Sequence, residues 1–296
     1  MSYEILFCSD AIYKHQVEEA YHEELKAVEE LGITYSTFNF DKLVDDGDVE
    51  KAIKNVPATK DIRTGIYRGW MLSPENYEIL WEALIRKGLQ LINNPWQYKN
   101  CHHFPYSYDK IKNHSPESVW IEKEKFDIND LQELLKPFSN SPIILKDYVK
   151  SEKHFWNEAC FCPDAGDTEQ VKKVVTNFSN LRDVEGGYVF KEFVELECAE
   201  FNSILKTMTA KEYRLFFLNG KVIDCSKYWE FNDYDEPPPI EFFEKIGQKI
   251  ESKFFTMDVA KKKSGEWIII ELGDGGVSGL PKCCDIKEFY RRLANG

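Results

Sequence analysis

The most constraining stretch of the sequence is a pair of apolar runs, each of which contains one acidic residue. FFTMDVA (residues 254–260) and WIIIEL (residues 267–272) flank Lys263-Ser264-Gly265, a pattern that predicts a β-hairpin. If the turn is centred between the last two of these turn residues, Asp258 lies directly opposite Glu271. Directly opposed residues have Cβ atoms about 4.5–5.5 Å apart on one face of a sheet. The sequence therefore predicts two carboxylates side by side among apolar neighbours.

Two adjacent carboxylates repel each other, and the loss of water around them makes the ionised forms less favourable. Three arrangements relieve this repulsion. The pair shares one proton, a lysine or arginine neutralises it, or a divalent cation that prefers oxygen ligands binds there. A fourth interpretation is a shifted register that puts one of the two side chains into water. The hairpin alone leaves all four open.

A second predicted hairpin contributes an arginine. Asn219-Gly220 lies between two apolar runs and predicts a two-residue turn. This turn places Arg214 opposite Cys225, with Glu212 and Lys227 on the same face. The planar guanidinium suits a phosphate or a carboxylate, although an ordinary salt bridge explains a single arginine equally well.

A lysine stands at the end of another apolar run. In PIILK (residues 142–146) the apolar residues predict a strand, and Lys146 closes it. A lysine at the end of a strand can reach a phosphate as a point charge. A salt bridge is again the alternative.

The composition excludes some partners. The formal net charge is -13, which disfavours binding to nucleic acid or to an anionic membrane. No apolar window approaches the ~18 residues of a membrane helix, and no secretory signal is visible. The eight cysteines are scattered, which is typical of reduced thiols. We therefore expect a cytoplasmic protein; the oligomeric state is not indicated.

The amino-terminal third has a different organisation. Residues 1 to about 100 alternate strand-like and helix-like segments, which predicts a small parallel α/β domain. Cys101-His102-His103 follows in a stretch that we interpret as a loop. Adjacent residues rarely point at one ion, so surface or packing histidines are the simpler interpretation of this motif.

Several segments, taken in order, resemble the ATP-grasp superfamily. Within this superfamily, they resemble most specifically an often phage-associated clade, which is named for two arginines and a lysine. The segments are PIILK, YVFKEFVELE (188–197), EYRLFFLNGKVI (212–223), MDVAKKKSGEWIIIELGDGGVSGL (257–280) and, before the grasp itself, YRGWMLSPENYEILWEAL (67–84).

The resemblance implies a fold that combines α/β and α+β parts. An ATP-grasp fold would consist of a small parallel α/β amino-terminal domain, residues 1–105, followed by two α+β subdomains that enclose the nucleotide. The central subdomain would span residues 106–192. The carboxy-terminal subdomain, residues 193–296, would carry the metal site.

The resemblance also implies roles for individual residues. ATP phosphates would contact Lys146, and Arg214 would steady the transferring phosphate. Arg68 would be the second arginine of the clade, facing the acceptor substrate. The hinge against adenine would be Glu192, Phe193 and Val194, with Glu195 or Glu197 at the ribose. Magnesium would bind Asp258 and Glu271.

Two positions depart from the pattern of the superfamily. Many members have asparagine two residues after the last metal-binding glutamate, where this chain has Gly273; Asp274 would then be the third metal ligand. A glycine-rich phosphate loop is also not obvious after Lys146. Lys150, Lys153 or His154 would hold phosphate by charge instead, and a solvated charged loop is the alternative.

The reaction implied by the resemblance is the ATP-dependent joining of a carboxylate to an amine. The carboxylate forms an acyl phosphate, and the amine then displaces phosphate. The partners would be small molecules or peptides that carry these two groups. The sequence contains no convincing Ser-His-Asp or Cys-His arrangement, which agrees with catalysis by alignment and charge neutralisation. A phosphotransferase on the same fold and a catalytically silent nucleotide-binding module stay open as alternatives.

Overall fold

The amino-terminal region is a parallel sheet with helices, as predicted. The structure is a computed structural model, and it describes residues 3–202, 207–229 and 234–296. The first four strands have the spatial order β2-β1-β3-β4: β1 (Tyr3–Cys8), β2 (Tyr35–Phe38), β3 (Arg63–Arg68) and β4 (Leu89–Leu91). The connecting helices are α1 (His22–Glu30), α2 (Phe40–Val44), α3 (Val49–Ala52) and α4 (Pro74–Arg86).

The start and the end of helix α4 are both set by local sequence signals, which is why the sequence predicted them. Ser73 accepts a hydrogen bond from the Asn76 N–H, and Pro74 takes the first helical position. Gly88 follows the helix at φ 76°, and a Cβ at this position would meet the Thr59 carbonyl oxygen at 2.6 Å. The chain can therefore turn into β4 only with glycine at this position.

The motif Cys101-His102-His103 is not in a loop, and that prediction was wrong. It ends helix α5 (Pro95–His102), and His103 connects this helix to α6 (Phe104–Ile111). Asn94 begins α5 with a capping box that includes Gln97, and Pro95 takes the first helical position. These two signals were present in the sequence, but the weak apolar periodicity of the segment concealed them.

The central region is an antiparallel sheet in the order β5-β8-β6-β7. Helix α8 packs its apolar face on this sheet, and Phe178 and Phe190 lie in their shared core. The strands are β5 (Ser118–Glu122), β6 (Ile143–Asp147), β7 (Phe161–Cys162) and β8 (Gly187–Glu192), with helices α7 (Leu131–Leu134) and α8 (Thr168–Leu181).

The carboxy-terminal region contains both predicted hairpins in one antiparallel sheet. Its order is β12-β11-β13-β14, with β11 (Glu212–Leu218), β12 (Lys221–Lys227), β13 (Phe254–Lys261) and β14 (Trp267–Asp274). A separate two-stranded sheet joins β9 (Cys198–Asn202) to β10 (Thr207–Ala210). The helices are α9 (Ile240–Gly247) and α10 (Ile286–Asn295).

The register of the first hairpin differs from the prediction. Asn219 and Gly220 have φ of 51° and 76°, as a two-residue turn of this kind requires. A bulge between Phe216 and Phe217 then shifts the pairing by one residue, so that Arg214 lies opposite Ser226 and not Cys225. Since alternate residues face opposite sides, Lys227 leaves the face of Arg214.

The second hairpin has the predicted acidic pair but a different turn. Near the turn Val259 pairs with Ile269, so the turn is centred on Ser264, half a residue before the predicted centre. A bulge between Asp258 and Val259 compensates for this shift, and Asp258 lies opposite Glu271 as predicted. The alternative of a slipped register is therefore excluded.

The first and last parts of the chain share a hydrophobic cluster. Phe289 of α10 and Phe254 of β13 pack in one core with Phe7 of β1 and Val28 of α1. The amino-terminal sheet is thereby held against the carboxy-terminal one. The exact boundaries at residues 105 and 192 stay a prediction. None of the helices in the described ranges has the length and apolar character needed to span a bilayer.

Candidate active site

The centre of the site is a row of charges that runs across three strands. Arg214 on β11 lies opposite Asp258 on β13, which lies opposite Glu271 on β14. Arg214 Nε donates to Asp258 Oδ1 at 2.8 Å, and Nη2 donates to Oδ2 at 2.8 Å. This bidentate pair is buried, since the Asp258 side chain is 3% exposed. An arginine therefore neutralises the first carboxylate of the predicted pair.

The second carboxylate is neutralised by a lysine from another sheet. Lys146 Nζ on β6 donates to Glu271 Oε2 at 2.9 Å. Lys146 is almost fully buried, whereas the Glu271 side chain is 35% exposed. Burial raises the pKa of Glu271, but Lys146 and Lys153 outweigh it and lower that pKa to about 2. Glu271 is thus ionised at neutral pH, and its contact with Lys146 joins the central sheet to the carboxy-terminal sheet.

A second buried lysine, Lys191 on β8, was not predicted. It is adjacent to Ile144 on β6, and its Nζ donates to the Ile270 carbonyl oxygen at 2.6 Å. Burial, together with the nearby charge of Lys146, lowers the pKa of Lys191 to about 7. The sequence signal that could have indicated its burial was its position two residues after the buried Val189, on the same inward face of the strand.

Glu212 adds a third carboxylate beside the row. It stands two residues before Arg214 on β11, is buried, and accepts a hydrogen bond from Trp229 Nε1 at 3.0 Å. Burial, together with the charges of Asp258 and Glu271, raises the pKa of Glu212 to about 7 against the opposing charge of Lys153. Glu212 lies on the same face of the strand as Arg214, as predicted, but the sequence indicated no role for it.

A tight turn follows Lys146 where a glycine-rich loop would be expected. The buried carboxylate of Asp147 accepts hydrogen bonds from the N–H groups of Val149 at 2.7 Å and Lys150 at 2.5 Å. Arg182 Nη2 contacts its other oxygen at 2.9 Å. The turn of residues 147–150 is therefore held by a side chain, and it needs no glycine.

Lys153 lies just beyond this turn and is exposed. Desolvation opposes its charge, but Glu212 and Glu271 raise the pKa of Lys153 above its ordinary value. It therefore carries a positive charge next to the row.

Some of these groups, Lys153, Arg214, Asp258 and Glu271, line a cavity of about 330 Å³. This volume is in the range of small-molecule sites. Its charged and hydroxyl-bearing lining consists of His102, Lys150, Ser151, Lys153, Arg214, Tyr228, Thr256, Asp258, Glu271, Asp274 and Ser278. A cavity of similar volume, about 350 Å³, lies in the amino-terminal domain around His15, His22 and Glu29, and it contains none of the predicted site residues.

Arg68 does not face a substrate, in contrast to the prediction. Its side chain is 0% exposed. Nε and Nη2 donate to the two carboxylate oxygens of Glu24 at 2.8 and 2.7 Å. Nη1 donates to the carbonyl oxygens of Gly275 at 2.7 Å and Ser278 at 2.8 Å. With these donors engaged, Arg68 is a positioning residue that holds the loop after β14.

Asp274 is also placed differently from the predicted metal ligand. Asn93 Nδ2 donates to its Oδ2 at 2.6 Å, and the Gly276 N–H donates to its Oδ1 at 2.8 Å. Burial raises the pKa of Asp274 to about 7, against the lowering effect of the Asn93 hydrogen bond. Asp274 lines the same cavity as Asp258 and Glu271, but among the described residues the three carboxylates do not form a close group of candidate ligand atoms.

The predicted adenine hinge, Glu192 to Val194, directly follows β8. The Phe193 N–H donates to the Pro142 carbonyl oxygen at 2.9 Å, and the Phe193 ring packs on Phe161 at 5.1 Å between centroids. Phe193 is therefore a packing residue in this conformation. The roles of Glu192, Phe193 and Val194 at the adenine stay predictions.

Glu197, the predicted ribose ligand, lies in a group of lysines. Lys211 Nζ donates to its Oε1 at 2.5 Å, and Lys261 Nζ lies 3.7 Å from Oε2. These contacts hold the carboxylate beside the end of β13. The ribose role of Glu197 stays a prediction.

Gly273 stands where the resemblance implies an asparagine, and its surroundings leave no room for a side chain. A Cβ built at Gly273 would lie 2.8 Å from Thr256 Oγ1 and 2.9 Å from Ser278 Oγ. These two hydroxyls are hydrogen-bonded at 2.8 Å. They occupy the space that a side chain at position 273 would need.

We predict that Gly273→Ala destabilises the protein by about 1–3 kcal/mol, the usual cost of overpacking. Denaturant unfolding measures this change in the free energy of unfolding. Gly279→Ala is the matched control, because a Cβ there would meet nothing within 4 Å. Equal unfolding midpoints for the two variants would contradict the steric explanation.

Comparison with known proteins agrees with this architecture. One family model matches residues 134–293: that of the ATP-grasp domain, family 3 of the clade named for two arginines and a lysine. No match is found among curated proteins.

Several solved structures share the fold over nearly the whole chain. An ATP-grasp RimK domain protein from Sphaerobacter thermophilus is 11% identical with a TM-score of 0.58, over 99% of this chain and 100% of that one. The ATP-grasp ligase PsnB, complexed with minimal precursor, Mg and ADP, is 12% identical with a TM-score of 0.57, over 99% and 97%. The D-alanine-D-alanine ligase from Coxiella burnetii is 10% identical with a TM-score of 0.60, over 99% and 94%. At these identities the similarity establishes the fold.

Proposed function

The chain belongs to family 3 of the ATP-grasp clade named for two arginines and a lysine, and from this premise we propose that it is an ATP- and magnesium-dependent ligase that joins a carboxylate to an amine. One observation carries the proposal. Two carboxylates and an arginine, Asp258, Glu271 and Arg214, line one cavity, and the buried Lys146 pairs with Glu271. A magnesium nucleotide needs both kinds of group at one place.

The residues present fit magnesium. Mg²⁺ takes oxygen ligands and is usually held by one or two carboxylates together with phosphate oxygens and water. Asp258 and Glu271 supply two carboxylates from adjacent strands, and the cavity wall also carries the hydroxyls of Thr256 and Ser278. The structurally similar PsnB holds Mg and ADP, which supports this choice. Asp274 is left out of the proposed ligand set because, among the described residues, it does not form a close group of candidate ligand atoms with Asp258 and Glu271.

The ion pairs predict that the metal and the nucleotide bind together. Without ligand, each carboxylate is neutralised by a cation, so magnesium alone gains little at this site. Phosphate oxygens would take over Lys146 and Arg214, while magnesium would take over Asp258 and Glu271. The exchange keeps every buried charge paired.

The protein contributes alignment and charge neutralisation. ATP supplies the phosphoryl group, and bound magnesium offsets the charge on its oxygens. Arg214 would stabilise charge on the transferring group, while Lys146 in β6 and Lys153 beyond the turn that follows β6 would hold the phosphates. The substrate carboxylate would become an acyl phosphate, which an amine then attacks with release of phosphate. This route needs no nucleophilic side chain of the protein.

The substrates we propose are small molecules or peptides that carry the two groups. PsnB is complexed with a precursor, and the ligase from Coxiella burnetii is named for D-alanine, so the fold accommodates both sizes. The cavity next to the row of charges extends to Met71, His102 and Val277, which would line the acceptor side.

The decisive experiment is an assay of the purified protein with ATP, magnesium and pools of amino acids and short peptides. We expect release of ADP and free phosphate that depends on an added substrate, together with a new C–N bond detected by mass spectrometry. AMP and pyrophosphate would contradict the proposal. ADP with a stable phosphorylated product and no free phosphate would indicate a phosphotransferase, and nucleotide binding without turnover would indicate a silent module. An Asp258→Asn preparation controls for contaminating enzymes.

A further inference from the structure

Two buried histidines and a partly exposed glutamate form a cluster outside the row of charges. His102 Nε2 lies 3.6 Å from Glu185 Oε1, and His103 Nε2 lies 3.1 Å from the same oxygen. Both histidines are buried, at 5% and 6% exposure. The candidate ligand atoms of the three residues all lie within 4.8 Å of one another. Although adjacent in sequence, the two imidazoles therefore point at one place.

The change of helix between the two histidines explains this convergence. His102 is the last residue of α5, and His103 has the extended backbone that precedes α6. Their rings lie nearly parallel, with centroids 5.6 Å apart and an interplanar angle of 26°. Within a continuous helix, successive side chains would diverge by about 100°.

We propose that His102, His103 and Glu185 bind one divalent transition-metal ion, with zinc as the best-fitting class. Tetrahedral zinc with ligands at about 2.0–2.2 Å places its donor atoms about 3.3–3.5 Å apart. The distances of 3.6 and 3.1 Å from Glu185 Oε1 to the imidazoles bracket this value. Because the three candidate ligand atoms lie up to 4.8 Å apart, the side chains would have to move closer by up to about 1.3 Å to complete three of the four positions.

The unpartnered nitrogen of His102 supports the binding of a metal ion at this place. Its Nε2 is buried and has no hydrogen-bond partner within the part of the chain that the structure describes. A buried polar atom without a partner costs free energy, and a metal ion bound to that nitrogen would remove the cost.

The neighbours hold the three side chains in place. Tyr98 stacks on the His102 ring at 4.9 Å, and Tyr148 packs edge-on against His103 at 5.6 Å. The backbone N–H of Glu185 donates to Asp147 Oδ2 at 3.3 Å, which ties it to the turn after β6. Such supports are what a metal site needs in order to keep its ligands oriented.

The ligand types separate this cluster from the magnesium site. Two imidazoles favour zinc and related borderline ions, whereas Mg²⁺ favours carboxylates, phosphate oxygens and water. His102 also lines the 330 Å³ cavity, so the ion would lie at its wall. The ion would link the junction of α5 and α6 to the segment before β8, where Glu185 lies and contacts Asp147. The proposal does not depend on the ligase function.

The test is a calorimetric titration of metal-free, full-length protein with zinc chloride. We expect one tightly bound ion per chain in the wild type. Glu185→Gln and His102→Phe, which keep the volume and the ring stacking, should weaken binding by at least about tenfold, the loss that follows removal of even an indirect metal partner. Near-ultraviolet circular dichroism verifies that each variant is folded.

Matched controls exclude other zinc ligands. Replacement of the exposed thiols, Cys198→Ser and Cys283→Ser, should leave zinc binding unchanged. His15→Gln removes an exposed histidine and should also leave zinc binding unchanged. The double variant Asp258→Asn with Glu271→Gln removes the acidic pair, and it too should bind zinc as the wild type does. Undiminished binding in the two cluster variants, or loss in a control, would overturn the proposal.

A second measurement needs no variant. X-ray absorption of wild-type protein loaded with one equivalent of zinc should show two imidazole ligands with oxygen ligands completing the shell. Sulfur in the shell, or the absence of imidazole, would refute the assignment. A wild type that binds no zinc in the titration would refute it as well.

Discussion

Asp258→Asn and Glu271→Gln are each expected to reduce ATP-dependent turnover by on the order of a thousandfold, through loss of charge stabilisation in the transition state. Each substitution removes one negative charge from the proposed magnesium ligands while conserving volume. A thousandfold loss corresponds to about 4 kcal/mol. Substrate-dependent ADP release, measured at saturating ATP and magnesium, reports the effect.

These variants should remain folded. Asparagine at position 258 keeps one oxygen that can accept a hydrogen bond from Arg214, and glutamine at 271 can still accept one from Lys146. Thermal unfolding should therefore show one cooperative transition in both. Glu266→Gln is the matched control, because Glu266 lies on the same hairpin with its side chain 70% exposed. Full activity in either Asp258→Asn or Glu271→Gln would rule out the metal assignment.

Arg68→Met is expected to destabilise the protein by about 3–5 kcal/mol, the cost of removing one partner of a buried ion pair. Glu24 would lose both guanidinium hydrogen bonds and keep only that of Tyr290, while the carbonyl oxygens of Gly275 and Ser278 would lose their donor. Urea unfolding measures the change in the free energy of unfolding.

A surface pair on the same domain is the matched control for Arg68. Arg86 contacts Glu50 at 2.8 Å, with both side chains more than half exposed. Arg86→Met should cost less than about 1 kcal/mol, as exposed pairs do. The double variant Arg68→Met with Glu24→Leu should recover part of the lost stability, because it leaves no unpaired carboxylate.

The same variant distinguishes the two roles considered for Arg68. If Arg68 faced the substrate, its replacement by methionine would raise KM for the acceptor and leave the stability unchanged. A positioning arginine would lower stability, and any effect on kcat would come from displacement of residues 275–278. An unchanged unfolding midpoint for Arg68→Met would therefore restore the role that the resemblance implied.

Local sequence patterns predicted most of the strands and helices. Alternating apolar residues, the Ser73-Pro74 helix start and the Asn219-Gly220 turn all act over a few residues, so a single sequence contains what is needed to recognise them. The segment with Cys101, His102 and His103 was misjudged because capping signals had to be weighed against weak periodicity.

The strand registers of the two hairpins show a different limit of prediction from sequence. The acidic pair Asp258–Glu271 was predicted with a turn centre that the structure does not have, and a bulge restored the pairing. In the first hairpin a bulge had the opposite effect and moved Arg214 from Cys225 to Ser226. Bulges depend on how a strand packs in the complete sheet, and that information is absent from the hairpin sequence itself.

The sequence by itself determined that one hairpin carries an acidic residue on each strand, that a lysine ends another strand, and that the chain belongs to its family, because each depends on local order along the chain. Only the tertiary structure decided which charges meet. Lys146 and Glu271, and likewise Arg68 and Glu24, are far apart in sequence and come together through the packing of separate sheets and helices. The energy of such a contact depends on burial and on partners, and a linear pattern specifies neither.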